Sequence, residues 1–207
     1  HIRKQNQLNN RRKLSDKWYD GKLGIPIVDQ TICSAFKYGY LHHILRLMVM
    51  GNFMNLCRID PDEVYRWFME FSLDSYDWVM ISNVYSMAMY ADGGLMTTKP
   101  YISSSNYIKK MMTIEKYKSK SKSKSKKEDK NKNSDDKIGG DSEDEKDEKE
   151  MEWDEKWDVI YYGFMGNNEK VFKNNGRARY MWSHWNKKSS SEKKRILKET
   201  DKLLRKL

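Results

Sequence analysis

The chain has 207 residues, enough for one ordinary domain, and its formal charge of +10 points to an anionic partner, nucleic acid before an acidic membrane. Cys33 and Cys57 are its only cysteines and lack paired spacing, which excludes a disulfide framework and a cysteine zinc site and makes a reducing, intracellular compartment the default, with cytoplasm and nucleus left open. No apolar run approaches the ~20 residues of a bilayer crossing, no signal-peptide pattern is present, and the first residue is His rather than Met, so no membrane is expected and the chain reads as a piece of something longer.

In chain order, residues 1–17 are basic and polar and offer little to bury. From Val28 to Met50, apolar residues at Val28, Ile32, Ala35, Phe36, Leu41, Ile44, Leu45 and Met48 follow a helical spacing, with Gly51-Asn52 as the expected stop. RIDPDEVYRWFMEFS is a strong helix start: Asp60 as N-cap, Pro61 in the first turn, then Asp62 and Glu63 where the helix dipole favours acids. The Met- and aromatic-rich segment from Asp74 ends at Gly93-Gly94, a pair that lets the backbone turn or approach a ligand closely. Pro100 fixes a turn, and Ser103–Ser105 can cap a short helix.

The character changes at Lys116. KSKSKSKSKK and then KNKNSDDKIGGDSEDEKDEKE hold almost nothing apolar, so residues 116–152 cannot offset their ordering entropy and are expected to be a disordered insertion. WDVIYYGFM resumes a helix, and a Ser-capped amphipathic helix with Ile196, Leu197, Leu203, Leu204 and Leu207 closes the chain. No strand alternation stands out. The expected fold is all-α: a first helical part over 1–115, the insertion over 116–152, and C-terminal helices of the same domain over 153–207.

Three groups of residues carry chemistry. GYLHHILRLMVMGNF sets His42, His43 and Arg46 in an apolar helical run; His42 and Arg46 lie four apart, His43 and Arg46 three. A buried guanidinium needs a partner, and Asp74 is a candidate. A metal site would need further ligands, and only His1 and His184 remain among the histidines, so no metal is expected. The bland alternative, satisfied structural polar groups, stays open here. SYDWVMISNVYSMAMYADGG either brings Asn83 and its glycines to a planar ligand or packs as a Met-lined core helix. Arg11, Arg12, Lys13, Lys99, Lys109, Lys110, Arg177 and Arg179 suit sequence-independent phosphate contact, or simply a solvated face.

GYLHHILRLMVMGNF, IDPDEVYRWFMEFSLDSYDWVM and YADGGLMTTKPYISSSNYIKKM resemble the C-terminal flavin domain of the deoxyribodipyrimidine photolyase-related proteins, the iron–sulphur bacterial cryptochromes and (6-4) photolyases. The resemblance runs from Leu14 to Met112 and resumes more weakly from WDVIYYGFMGNNEKVF to Trp185. It implies the C-terminal part of the helical photolyase/cryptochrome FAD-binding domain, with a damaged DNA base flipped into a pocket above the cofactor. It places Arg46 and Asp74 as a pair against the flavin, Met80 and Asn83 near its rings, and Asp92 and Gly93 in the cofactor-lining segment. Catalytic candidates are His43 as proton donor to the lesion, His42 beside it, and Trp67 as inner member of an electron relay with Phe68 and Tyr19. Lys99, Lys109 and Lys110 are the expected DNA contacts.

Two departures accompany the resemblance. The family's four cluster cysteines fall on Ile27, Glu115, Lys118 and Glu155, none a thiolate, so no iron–sulphur cluster is expected. The antenna domain and the earlier flavin helices have no counterpart here, which implies completion by an N-terminal photolyase polypeptide. The function implied is light-driven electron transfer from FAD to a DNA photoproduct, of (6-4) type, in a DNA photolyase-type lyase once completed. The alternatives are a non-catalytic DNA-binding remnant and a cryptochrome-like light sensor.

Overall fold

The computed structural model describes residues 2–97, 99–111, 151–176 and 178–207. The expected insertion therefore lies, but for its last two residues, outside the described residues, as do His1, Glu115, Lys118 and Arg177. The described residues are helical and contain no strand; an isolated parallel bridge joins Arg12 to Ile59. None of their helices is long and apolar enough to cross a membrane.

After a short turn of helix α1 (Lys17–Asp20), α2 spans Pro26–Tyr38, with proline at its first position. It ends at Gly39, which adopts the left-handed conformation (φ 62°) and accepts a hydrogen bond from the Leu73 N–H at 2.9 Å. The single helix expected over Val28–Met50 is thus broken in the middle, and Gly39, not Gly51, is the breaker.

The expected stop at Gly51-Asn52 is a second correction. Helix α3 is π-wound over Leu45–Gly51 and continues as an α-helix over Asn52–Leu56. Gly51 has ordinary helical angles. Its use is steric: a Cβ there would sit 2.7 Å from the Ala88 Cβ. Glycine lets α3 cross the next long helix almost backbone to backbone.

That partner, α5, runs α-helically over Asp77–Ile81 and π-wound over Ser82–Ala88. Two facing π-wound segments are unusual, because such windings are rare and gather at functional sites. Between them in sequence lies α4 (Pro61–Phe71), whose start matches expectation: the Asp60 carboxylate accepts the Asp62 N–H at 2.9 Å.

The short α6 (Ser105–Met111) is followed by α7 (Trp153–Asn167), α8 (Glu169–Asn174), α9 (Arg179–Asn186) and α10 (Ser190–Lys206), the last capped by Ser189 in a reciprocal box with Glu192. Helix α10 packs on α7, where Gly163 faces Thr200 in close contact. The core is one continuous cluster in which Trp18, Phe53 and Trp157 stack in a row, with centroids 5.8 and 4.7 Å apart. That row ties the N-terminal helices to α7.

Candidate functional site

Arg46 lies in the first turn of α3, its side chain 14 % exposed. Nη2 donates to the Asp74 carboxylate at 2.7 Å and Nε to the Leu41 carbonyl at 2.6 Å, while the Tyr40 ring sits 5.2 Å from the guanidinium. The Leu41 contact depends on the break at Gly39, which exposes that carbonyl. Asp74 also accepts the Ser72 hydroxyl at 2.6 Å. Partial burial pushes its carboxyl up, but the Ser72 and Arg46 hydrogen bonds and the Arg46 charge outweigh this and hold it below the usual carboxylate range.

Beside this pair, the crossing of α3 and α5 leaves a small hollow of about 20 Å³ lined by His43, Arg46, Leu47, Phe68, Met80, Asn83, Val84 and Ala88. It holds little more than a water molecule. Five sequence-expected residues, His43, Arg46, Phe68, Met80 and Asn83, therefore meet at one place. Asp92 and Gly93 do not line it. The Asp92 carboxylate accepts the N–H groups of Gly94 and Met96 at 2.9 and 3.2 Å and so closes its own turn, while Gly93 (φ 68°) faces the Gln7 side chain. His42 lies outside as well; its Nδ1 accepts the Ile44 N–H at 3.3 Å.

His43 also lines a second, larger space. A cleft of about 640 Å³ shares His43 and Leu47 with the hollow and is walled further by Met48, Met87, Lys99, Tyr101, Tyr107, Tyr161, Tyr162, Tyr180 and His184. Its floor is firmly held: the Asn52 amide donates to the Ser103 hydroxyl at 2.8 Å, and the Trp157 Nε1–H donates to the Ser103 carbonyl at 3.0 Å. Burial raises the Tyr161 and Tyr162 phenols, so both stay neutral donors at physiological pH. The sequence reading missed this tyrosine ring and His184, because residues from both sides of the insertion build it.

Of the expected cations, Lys99 lines the cleft, 6.0 Å from the Tyr180 ring. Lys109 pairs with Asp154, and Lys110 is exposed on the same short helix. Arg12 instead donates to the carbonyls of Cys57 and Leu204, a structural tie between the two halves.

Trp67 is fully buried and donates from Nε1 to the Trp18 carbonyl at 3.0 Å. Phe68, in the wall of the hollow, lies 5.1 Å from it; Phe36 lies 5.8 Å away on the other side, and Tyr19 a further 5.8 Å beyond at the surface. Burial and the neighbouring Glu70 carboxylate raise the Tyr19 pKa. Of the cluster positions described, Ile27 is buried and Glu155 exposed; no group of metal-ligating side chains occurs among the described residues.

A planar flavin suits these residues as one wall of a site rather than a closed pocket. A cation–carboxylate pair and a carboxamide stand over an apolar floor, but the hollow is far too small to enclose three fused rings. The neighbouring surface is apolar and open, with Leu73 90 %, Tyr76 66 % and Trp78 77 % exposed.

The family profile of the FAD-binding domain of DNA photolyase matches residues 1–126. An uncharacterized protein of Acanthamoeba polyphaga mimivirus is 43 % identical over 160 residues, 77 % of this chain and all of its own length. A (6-4) photolyase of Agrobacterium fabrum is 42 % identical over 106 residues, 51 % of this chain but only 21 % of that protein. With the paired Arg46 and Asp74 and the all-helical core, these matches make the chain a photolyase-like flavoprotein segment, and it belongs to the photolyase FAD-binding-domain family.

Proposed function

We propose that the chain is the flavin-side part of a light-driven DNA-repair protein acting on DNA photoproducts of the (6-4) kind. The observation that carries this reading is the position of His43 in the partition between the Arg46–Asp74 hollow and the tyrosine-ringed cleft. A group held in the hollow and a base held in the cleft would be separated by His43 and Leu47, and of these only the imidazole can pass a proton.

Bound FAD would supply the electron that light releases to the damaged base. The residues of this chain do the rest. Arg46 and Asp74 orient the cofactor's polar edge, Asn83 offers it an amide, and Met80 and Phe68 give its rings an apolar floor. Tyr101, Tyr107 and Tyr161 give an extruded base stacking faces and hydroxyl donors. His43 holds, on an imidazole nitrogen, the proton such a repair requires. Trp67, Phe36 and Tyr19 form the route from hollow to surface, with Glu70 placed to take the Tyr19 phenolic proton.

The open face at Tyr40, Leu73, Tyr76 and Trp78 is where a complementing polypeptide would supply the second wall; the (6-4) photolyase relative extends far beyond the segment matched here. With Ile27, Glu115, Lys118 and Glu155 in the ligand places, no four-iron cluster forms in this reading, and purified protein should contain no stoichiometric iron. The viral relative, matched over its whole length, favours a second reading in which such short chains act alone as DNA-binding or light-sensing proteins.

A gel-shift series separates the readings: ultraviolet-damaged and intact duplexes, with FAD titrated and His43→Ala compared. Repair predicts a preference for damage that FAD strengthens, and photoproduct loss under blue light that depends on His43. Equal binding to both duplexes, lost equally with salt, would leave only the DNA-binding reading.

A further inference from the structure

A polar cleft of about 740 Å³ shares no lining residue with the two spaces around His43. Gln7, Asn9, Arg58, Asn167, Lys170 and Lys173 line it, so three cations face one carboxylate, Glu169.

Arg58 is an unusual residue for its position. It follows the end of α3, where the Ile59 N–H bonds back to the Met54 carbonyl at 3.1 Å and Arg58 itself takes φ 60°. This six-to-one closure places its left-handed residue where glycine is strongly preferred. Any side chain there costs free energy that glycine avoids. The guanidinium is also poorly served: the side chain as a whole is 24 % exposed, and its Nε and Nη2 are buried without a hydrogen-bond partner. Its nearest carboxylate, Asp201, is 3.7 Å from Nη1 and itself 60 % exposed. Burial lowers the Arg58 pKa, with Asp201 opposing, yet an arginine stays charged at any physiological pH. A strained backbone and a weakly compensated cation thus coincide at one residue in the wall of the cleft.

We propose that this cleft binds a phosphate group, drawn in by the charges of Arg58, Lys170 and Lys173, with the carboxamides of Gln7, Asn9 and Asn167 meeting the rest of a phosphate ester. The phosphate can belong to a free nucleotide or to a nucleic-acid strand; the chemistry of the grip is the same.

The test uses the full chain, with inorganic phosphate, adenosine monophosphate and a short single-stranded oligonucleotide as probes at constant ionic strength. Calorimetric affinity and the thermal midpoint are read for wild type, Arg58→Gly and the double variant Lys170→Ala/Lys173→Ala. Phosphate should raise the wild-type midpoint beyond chloride. Arg58→Gly should start at an equal or higher midpoint, its backbone strain relieved, yet lose the phosphate response and bind at least tenfold more weakly. The lysine variant should weaken binding several-fold without moving the starting midpoint. Tighter binding of the mononucleotide assigns the site to a nucleotide, and Arg58-dependent oligonucleotide binding assigns it to a strand. Phosphate responses alike in wild type and Arg58→Gly, or no response beyond chloride, overturn the proposal.

Discussion

Replacing Gly51 by alanine tests the helix crossing on which the site is built. The new Cβ would lie 2.7 Å from the Ala88 Cβ and 3.1 Å from the Arg46 carbonyl oxygen. Carbon atoms rest at ~3.5–4.0 Å, so α3 and α5 must part by roughly 1 Å. Alanine in a helix is favoured over glycine by about 1 kcal/mol, whereas overpacking of this kind costs about 1–3 kcal/mol. The expected net loss is about 1 kcal/mol, or about 2–4 °C in thermal midpoint for a chain this size. Because Arg46 shares the π-wound segment with Gly51, and Asn83 shares that of Ala88, the separation should weaken flavin binding more than it weakens the fold. Urea unfolding followed by tryptophan fluorescence gives the first quantity and flavin titration the second. Gly176→Ala, whose added Cβ meets nothing within 4 Å, is the control. A Gly51→Ala protein more stable than wild type by the full helix-propensity gain would refute the close crossing.

Asp74→Asn should cost less than about 1 kcal/mol at neutral pH, because the carboxylate is half exposed and screened. Since the native pKa of Asp74 is lowered, its stabilisation is complete above the unfolded carboxylate value of ~3.9 and fades as pH falls through the native value. Thermal midpoints of wild type and variant should therefore converge on acidification below about pH 4; a gap that widened would contradict the pairing. Burial pushes the Cys57 thiol up to about 12, against Arg12 and Arg58, while Cys33 is exposed. Native protein should thus alkylate at Cys33 alone and at both cysteines after denaturation, as peptide mass mapping would show. Trp67→Phe removes the hydrogen bond to the Trp18 carbonyl, leaves that buried acceptor unpaired and should cost about 1–3 kcal/mol. In flavin-loaded protein it should also slow photoreduction far more than Tyr76→Phe, which lies outside the Trp67–Phe36–Tyr19 route; equal rates would remove that route from the account.

Local signals were legible in the sequence where one residue dictates one geometry. Asp60-Pro61 and Ser189 start helices because a side-chain acceptor and a missing N–H have few other uses. Arg46 needed a carboxylate, and Asp74 supplies it. The reading failed where a residue's role depends on what lies across from it. Gly51 reads as a helix stop from either side of the sequence, yet it is a contact surface for Ala88. The π windings leave no trace in a hydrophobic period. The family resemblance puts Asp92 in the cofactor-lining segment, and a sequence does not show that its two oxygens accept the N–H groups of their own turn. The tyrosine-ringed cleft could not be read at all, since it joins residues 43–107 to residues 161–184 across the charged stretch.

Arg46, Asp74 and Asn83 are proposed here as the flavin-facing wall of the chain. The most direct test is an FAD fluorescence titration of the full chain against the variant Arg46→Gln/Asn83→Ala, at a salt concentration that suppresses loose ionic binding. Weak, saturable quenching is expected from the wild-type chain, strengthened when a polypeptide carrying the preceding photolyase helices is added, and at least tenfold weaker in the variant. Quenching that is absent from wild type with that polypeptide present, or unchanged by the substitutions, would contradict the proposal.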